Sequence, residues 1–442
     1  MLDLVIRAER AVIDGRDEPC CIGVEDGRVV AVEPAASRIE GREVVGYGDD
    51  VVVLPGLVDS HVHVNEPGRT EWEGFTHATR AAAAGGVTTI VDMPLNSIPA
   101  TVDVAALETK RAAAEGHCYV DVGFWGGAVP ANHGQLRALH EAGVLGFKCF
   151  LVDSGVEEFP ALDEAGLEQV MARIASFGGV LLVHAEDPDA VRPCGESTSY
   201  VEFLASRPDA AEVSAIESVV EAARRTGCRA HVVHLSSAQS LPLIAAARAE
   251  GLPLTTETCP HYLTFAAEHI ERGATEFKCC PPIRDENNRR LLWQGLADSL
   301  IQMVVTDHSP CTAELKHAES GRFDEAWGGI SSLQIGLAAV WTGARGRGHS
   351  LVDIARWMSA APAARAGLSR KGWIGLGSHA DFCVVAPDRT FVVEPDLLQH
   401  RNPITPYAGR SLAGVVHETW LAGSRVDLDD DPRGRLLRRG EA

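Results

Sequence analysis

Basic residues are scarce in this chain: 40 Lys and Arg stand against 61 Asp and Glu, a formal charge of −21 over 442 residues. Recognition of a phosphate backbone needs a basic footprint, so nucleic acid is excluded as a partner. The same acidity works against adhesion to an anionic membrane surface. Long apolar runs are also missing, since none approaches the ~20 residues of a membrane span. The opening stretch MLDLVIRAERAVIDG alternates apolar and charged residues and lacks the basic-then-apolar layout of a signal peptide. No CxxC pair occurs among the 11 cysteines, which excludes a zinc ribbon or a thioredoxin-like motif. An odd, scattered set of that kind is expected as free thiols in a reducing cytoplasm.

What the sequence does contain is an ordinary globular balance, 45% hydrophobic and 23% charged. Residues 1–55 read as short strands, with Asp14-Gly15 and Asp26-Gly27 as hairpin turns. From Leu57 onward, short apolar runs alternate with Ala-, Glu- and Leu-rich stretches of helical composition. The runs are 57–64, 87–93, 118–125, 144–150, 180–186, 230–235, 252–258 and 301–307, the rhythm of a (β/α)8 barrel. After about residue 372 the pattern returns to strands. The expectation is an α/β fold: a TIM-like barrel over 56–371 and a small β-sandwich domain built from both chain ends, 1–55 and 372–430. Residues 431–442 are expected to form a polar, solvated tail.

Chemistry in such a barrel sits where strands end and loops begin. The first barrel strand closes on His61-Val62-His63, two imidazoles on one strand face. Alone, that spacing is weak. Lys148, His184, His234 and Asp307 then occur at matching depths on strands four, five, six and eight. Each has a plain alternative: His184 could be a satisfied core histidine, and Asp307 a helix cap. His231 lies three residues before His234, on the opposite strand face, so at most one points inward, and His234 is the better choice. An apolar strand normally rejects a residue such as Lys148. Six such residues at matching ends are improbable by accident, and the donor set describes a divalent site, with zinc first and cobalt, manganese or iron acceptable. A buried, neutral Lys148 can add CO2 to become a carbamate, whose two oxygens can each hold one ion around a shared hydroxide.

Across nearly its whole length the chain resembles the cyclic amidohydrolases, and within them the branch that hydrolyses allantoin. The likeness rests on LPGLVDSHVHVNEPGRTEWEGF, RAAAAGGVTTIVDMPLNSIPAT, GFKCFL, VLLVHAED, HVVHLSSAQS, ETCPHYL, CCPPIRD, VVTDHSPC, GSHADFCVVAP and PYAGRSLAGVV. It implies one ion on His61, His63 and Asp307 and a second on His184 and His234, with N6-carboxylated Lys148 bridging them. It implies Asp307 as the catalytic base that also returns a proton to the leaving nitrogen. The substrate implied is a small, neutral cyclic ureide of purine breakdown, and the assembly a homotetramer. Asn96 sits where related enzymes contact substrate, and Cys280, Ser309 and Ile330, the last in the turn Gly328-Gly329-Ile330, are weaker candidates. Arg69 is expected to pair with Glu66 or Glu71, and Trp72 and His261 to pack.

Dihydropyrimidinases and hydantoinases are the alternative, because they share Asp307-His308 and the turn Cys280-Pro-Pro-Ile-Arg284. Dihydroorotases fit less well, since they carry Arg where this chain has Asn65 and His where it has Cys311, both used to clamp a carboxylate. Turnover of dihydroorotate is therefore expected to be negligible, and efficient hydrolysis in a direct assay would overturn that reading of Asn65.

Overall fold

The computed structural model describes residues 1–440. Five strands open the chain: β1 (Leu2–Ile13), β2 (Arg16–Glu25), β3 (Arg28–Pro34), β4 (Gly41–Tyr47) and β5 (Val52–Pro55). Nine follow: β6 (Leu57–Val62), β7 (Val87–Asp92), β8 (Asp121–Phe124), β9 (Gly126–Gly127), β10 (Phe147–Phe150), β11 (Val180–His184), β12 (Arg229–Val232), β13 (Leu254–Thr258) and β14 (Met303–Val304). The last three are β15 (Phe382–Val392), β16 (Ser411–Leu421) and β17 (Ser424–Arg425).

Strands from the two chain ends share one eight-stranded sheet, in the order β17-β16-β15-β5-β1-β2-β3, with β4 on β1. Asp14 and Gly15, and again Asp26 and Gly27, all have positive φ, as two-residue hairpins of matching twist require. This sheet has its own apolar core, including Leu4, Ile6, Ile22, Val53, Phe382 and Trp420.

The remaining strands run parallel as β6-β7-β8 and β14-β13-β12-β11-β10-β9, separated by helices in the alternating order of a TIM barrel. Backbone bonds close the circle. The His63 N–H donates to His308 O at 2.8 Å on one side, and the Leu145 N–H to Phe124 O at 3.0 Å on the other. The strands are shorter than the apolar runs suggested. The run 301–307 keeps regular pairing only at Met303–Val304, because Asp307 adopts positive φ (46°) and turns out of the strand.

The C-terminal tail does not float in solvent as expected. The Gly434 N–H donates to Cys118 O, Arg435 O accepts from the Val122 N–H, and the Leu437 N–H donates to Val122 O, each at 2.8–2.9 Å. Strand β8 is the edge of its three-stranded group, and the tail satisfies backbone groups that no neighbouring strand reaches. Residues 441–442 of that tail lie outside the described range.

A buried charge triad joins the mixed sheet to the barrel. Lys371 Nζ lies 2.6 Å from Asp381 Oδ2, beside β15, and 2.9 Å from Asp121 Oδ2 on β8, with its side chain 1% exposed. The two carboxylates outweigh the cost of burial and raise the Lys371 ammonium above its ordinary range. Lys371→Met would remove the cation shared by two desolvated carboxylates, leaving Asp121 only Arg435 as a cation, at 3.4 Å, and is expected to cost about 3–5 kcal/mol. A urea midpoint equal to that of the unaltered chain would show the triad to be idle.

Candidate metal centre

His61 lies on β6 with His63 one residue beyond its end, Lys148 lies on β10, and His184 is the last residue of β11. His234 and Asp307 follow β12 and β14 in left-handed backbone, φ 38° and 46°. Non-glycine residues rarely adopt that conformation, and it swings both side chains over the barrel axis. His61 Nε2 and His63 Nε2 converge on Asp307 Oδ1 at 3.1 and 3.4 Å. Donor atoms of His61, His234 and Asp307 all lie within 4.8 Å of one another. The His184 and His234 rings are 4.6 Å apart, and Lys148 Nζ sits 4.8 Å from the Phe150 ring centre. All six line one cavity of about 470 Å³.

Electrostatics here are set by burial and by two carboxylates beneath the donors. Glu257 on β13 accepts from His61 Nδ1 at 2.5 Å and from His231 Nε2 at 2.8 Å. Glu186 accepts from His184 Nε2 at 2.7 Å and from Arg207 Nε at 3.1 Å. Each bond fixes a tautomer and leaves the other ring nitrogen of His61 and His184 available as a donor. Burial lowers the Lys148 ammonium to about 8 against the pull of Asp307 and Glu257. Burial also pulls His61 down, but Asp307 and Glu257 outweigh it and raise its imidazole to about 9. His63, His184 and His234 fall below the ordinary histidine range through desolvation. Asp307 is desolvated as well, yet His61 and His63 hold it well below the carboxylate range.

These residues fit a divalent cation. His234 Nδ1 is buried without a hydrogen-bond partner, and Lys148, a buried side chain, lines the same cavity without a carboxylate in salt-bridge contact among the described residues. The imidazoles of His63, His184 and His234, kept neutral by burial, join His61, the Asp307 carboxylate and the Lys148 amine around one cavity, a borderline donor set.

Other expectations fare unevenly. Asn96, Cys280 and Ser309 line the cavity, and Asn96 Nδ2 also approaches His63 Nδ1 at 3.4 Å. Ile330 does not line it: its side chain is buried in the core and its carbonyl accepts from the Ser309 N–H. Arg69 pairs with Glu158 at 2.5 Å and with Asn96 O, instead of Glu66 or Glu71. Trp72 packs edge-on against Trp327 at the mouth, and His261 is buried with neither ring nitrogen bonded. His231 and His234 both reach the interior, because strand alternation stops at Val232 and His234 turns back. Glu257, Arg207, Asp153, Lys278 and Trp327 went unnoticed in the sequence. Glu186 was missed as well, although its place two residues beyond His184 could have signalled a partner on the same strand face.

Comparison with known proteins places this geometry in context. The Amidohydrolase family model matches residues 52–426. An allantoinase of Streptomyces avermitilis is 56% identical, with 99% of each chain covered. An allantoinase of Saccharomyces cerevisiae is 45% identical over 95% of this chain and 94% of its own. Among solved structures, the L-hydantoinase (dihydropyrimidinase) from Arthrobacter aurescens superposes with a TM-score of 0.91 at 27% identity, covering 100% of this chain and 98% of its own.

Glu257 orients a donor it does not replace, so Glu257→Gln is expected to weaken Zn2+ binding about 10- to 100-fold. Competition against a chelating dye measures this, and unchanged affinity would remove Glu257 from the centre.

Proposed function

The chain belongs to the amidohydrolase family, and on that premise we propose that it hydrolyses the hydantoin ring of allantoin to give allantoate, a step in purine and ureide breakdown. The observation that carries the chemistry is the convergence of His61, His63, Lys148, His184, His234 and Asp307 on one cavity floor. Full-length likeness to the bacterial and yeast allantoinases supports the substrate. A neutral ureide needs no electrostatic steering, so the acidic surface is no obstacle.

His61, His63 and Asp307 would hold one divalent ion, zinc first, and His184 and His234 would hold a second. Lys148, its neutral amine adding CO2 and losing a proton to give a carbamate, would supply the anionic oxygens shared by the two ions. When bound, the ions polarise the scissile carbonyl and lower the pKa of water. Asp307 supplies the proton transfer. Its carboxylate, kept ionised by His61 and His63, takes the proton of the attacking water and delivers it to the ring nitrogen as the C–N bond breaks. Glu257 and Glu186 hold the imidazoles in register throughout. Asn96, Cys280 and Ser309 line the same cavity, which supports them as contacts to the ring. All 11 cysteines are unpaired, which supports a reducing, cytoplasmic setting, and a homotetramer completes the reading.

A panel of allantoin, hydantoin and dihydrouracil, assayed with defined metal, tests the substrate; allantoin is expected to give the highest kcat/KM. Preference for dihydrouracil or hydantoin would move the protein to the dihydropyrimidinase reading. Lys148→Ala is expected to lose at least about 100-fold in rate through loss of the bridge, with partial recovery when a short carboxylic acid is added. Undiminished activity without the acid would refute the bridge. Asp307→Asn is expected to retain part of its metal while turnover collapses.

A further inference from the structure

Residues of the loop Ala326–Gly329 line one wall of the cavity, and the partners of its four N–H groups can be followed one by one. Three of its four N–H groups are paired: Ala326 to Arg322 O at 3.1 Å, Trp327 to Leu315 O at 2.7 Å and Gly329 to Lys278 O at 2.8 Å. Lys278 Nζ donates to Ala326 O at 2.5 Å. Lys316, buried behind the loop and absent from the cavity lining, donates from Nζ to Trp327 O at 3.1 Å and also to Gly329 O. The N–H of Gly328 has no partner among the described residues, although Gly328 lines the cavity. In a trans peptide the carbonyl and the following N–H point in opposite directions. With Trp327 O drawn back to Lys316, the Gly328 N–H faces the opposite side, toward the open volume. Partly buried backbone donors are normally paired, so this one is a vacant hydrogen-bonding position. Gly329 makes the close approach feasible: its φ is +137° and a Cβ there would meet Ser309 O at 2.1 Å.

We propose that Lys316 is a positioning residue for substrate: by holding the carbonyls of Trp327 and Gly329 from behind, it presents the Gly328 N–H to a carbonyl oxygen of the cyclic ureide. This rests on the ring-opening function argued above. Lys316 never touches the substrate; it fixes the direction of a peptide that does. An N–H that donates equally to bound substrate and to the transition state lowers KM without changing kcat.

The test uses the zinc-loaded full chain. Lys316→Met is expected to raise KM for allantoin about 10-fold, with kcat and bound zinc little changed. Lys316→Gln, which keeps an N–H donor, is expected to recover part of the loss. A folded, zinc-replete Lys316→Met with unaltered KM overturns the proposal. A second readout needs no variant. The sequence contains only two Trp–Gly peptides, Trp125-Gly126 and Trp327-Gly328, so carbonyl-13C Trp with 15N Gly isolates two amide signals. Gly126 donates to Gly146 O at 2.9 Å inside the barrel and serves as reference. During turnover of saturating allantoin the Gly328 amide proton is expected to move downfield while Gly126 stays; an unmoved Gly328 signal overturns the proposal. Failure of the unaltered enzyme to hydrolyse allantoin sinks the substrate reading instead, and both measurements are then made with whichever cyclic amide it opens.

Discussion

Desolvation of one lysine is the constraint on which the rest of the site depends. Lys148 lies on a short parallel strand, fully buried, with no carboxylate in hydrogen-bond contact to neutralise it. A protonated amine there would repel any cation brought to the neighbouring imidazoles. Burial resolves the conflict by lowering the cost of losing the proton. A neutral amine among histidines held neutral by the same desolvation is compatible with a cation in a way that an ammonium is not.

That arrangement needs support from below. Glu257 ties His61 to His231, and Glu186 ties His184 to Arg207, so each carboxylate spends its charge on ring orientation as well as on solvation of a partner. The positive φ of His234 and Asp307 adds a second kind of support, since local strain is tolerated only where surrounding packing fixes the chain. Both residues stand at the mouth end of their strands, where a rigid barrel wall meets loops free to vary.

The walls above these six side chains follow a different logic. Trp327 meets Trp72 edge-on, Arg69 stacks over Trp72 and pairs with Glu158, and Lys278 and Lys316 hold the 326–329 backbone by its carbonyls. Lys316, buried and outside the cavity lining, fixes the loop without placing its charge in the cavity, whereas half-buried Lys278 lines it. The chain thus uses lysine in two opposite ways within one site: Lys148 as a nearly free amine, Lys316 as a fully engaged donor.

Periodicity and strand-end residues determined much of this from the sequence alone. The eight apolar runs gave the barrel, and the ligand types at their ends gave His61, His63, Lys148, His184, His234 and Asp307, because strand alternation and barrel geometry are local rules that a pattern can carry. The hairpins at Asp14-Gly15 and Asp26-Gly27 were legible for the same reason. What only the tertiary structure decided involves pairs distant in the chain or backbone that leaves its regular path. Glu257 reaches His61 across 196 positions, Arg69 finds Glu158 across 89, and the tail at Gly434–Leu437 docks on β8. His231 turned inward beside His234 because the strand stops between them, a break that alternation cannot register. Sequence pattern encodes which face a residue takes within an element; which partner waits there is settled by packing.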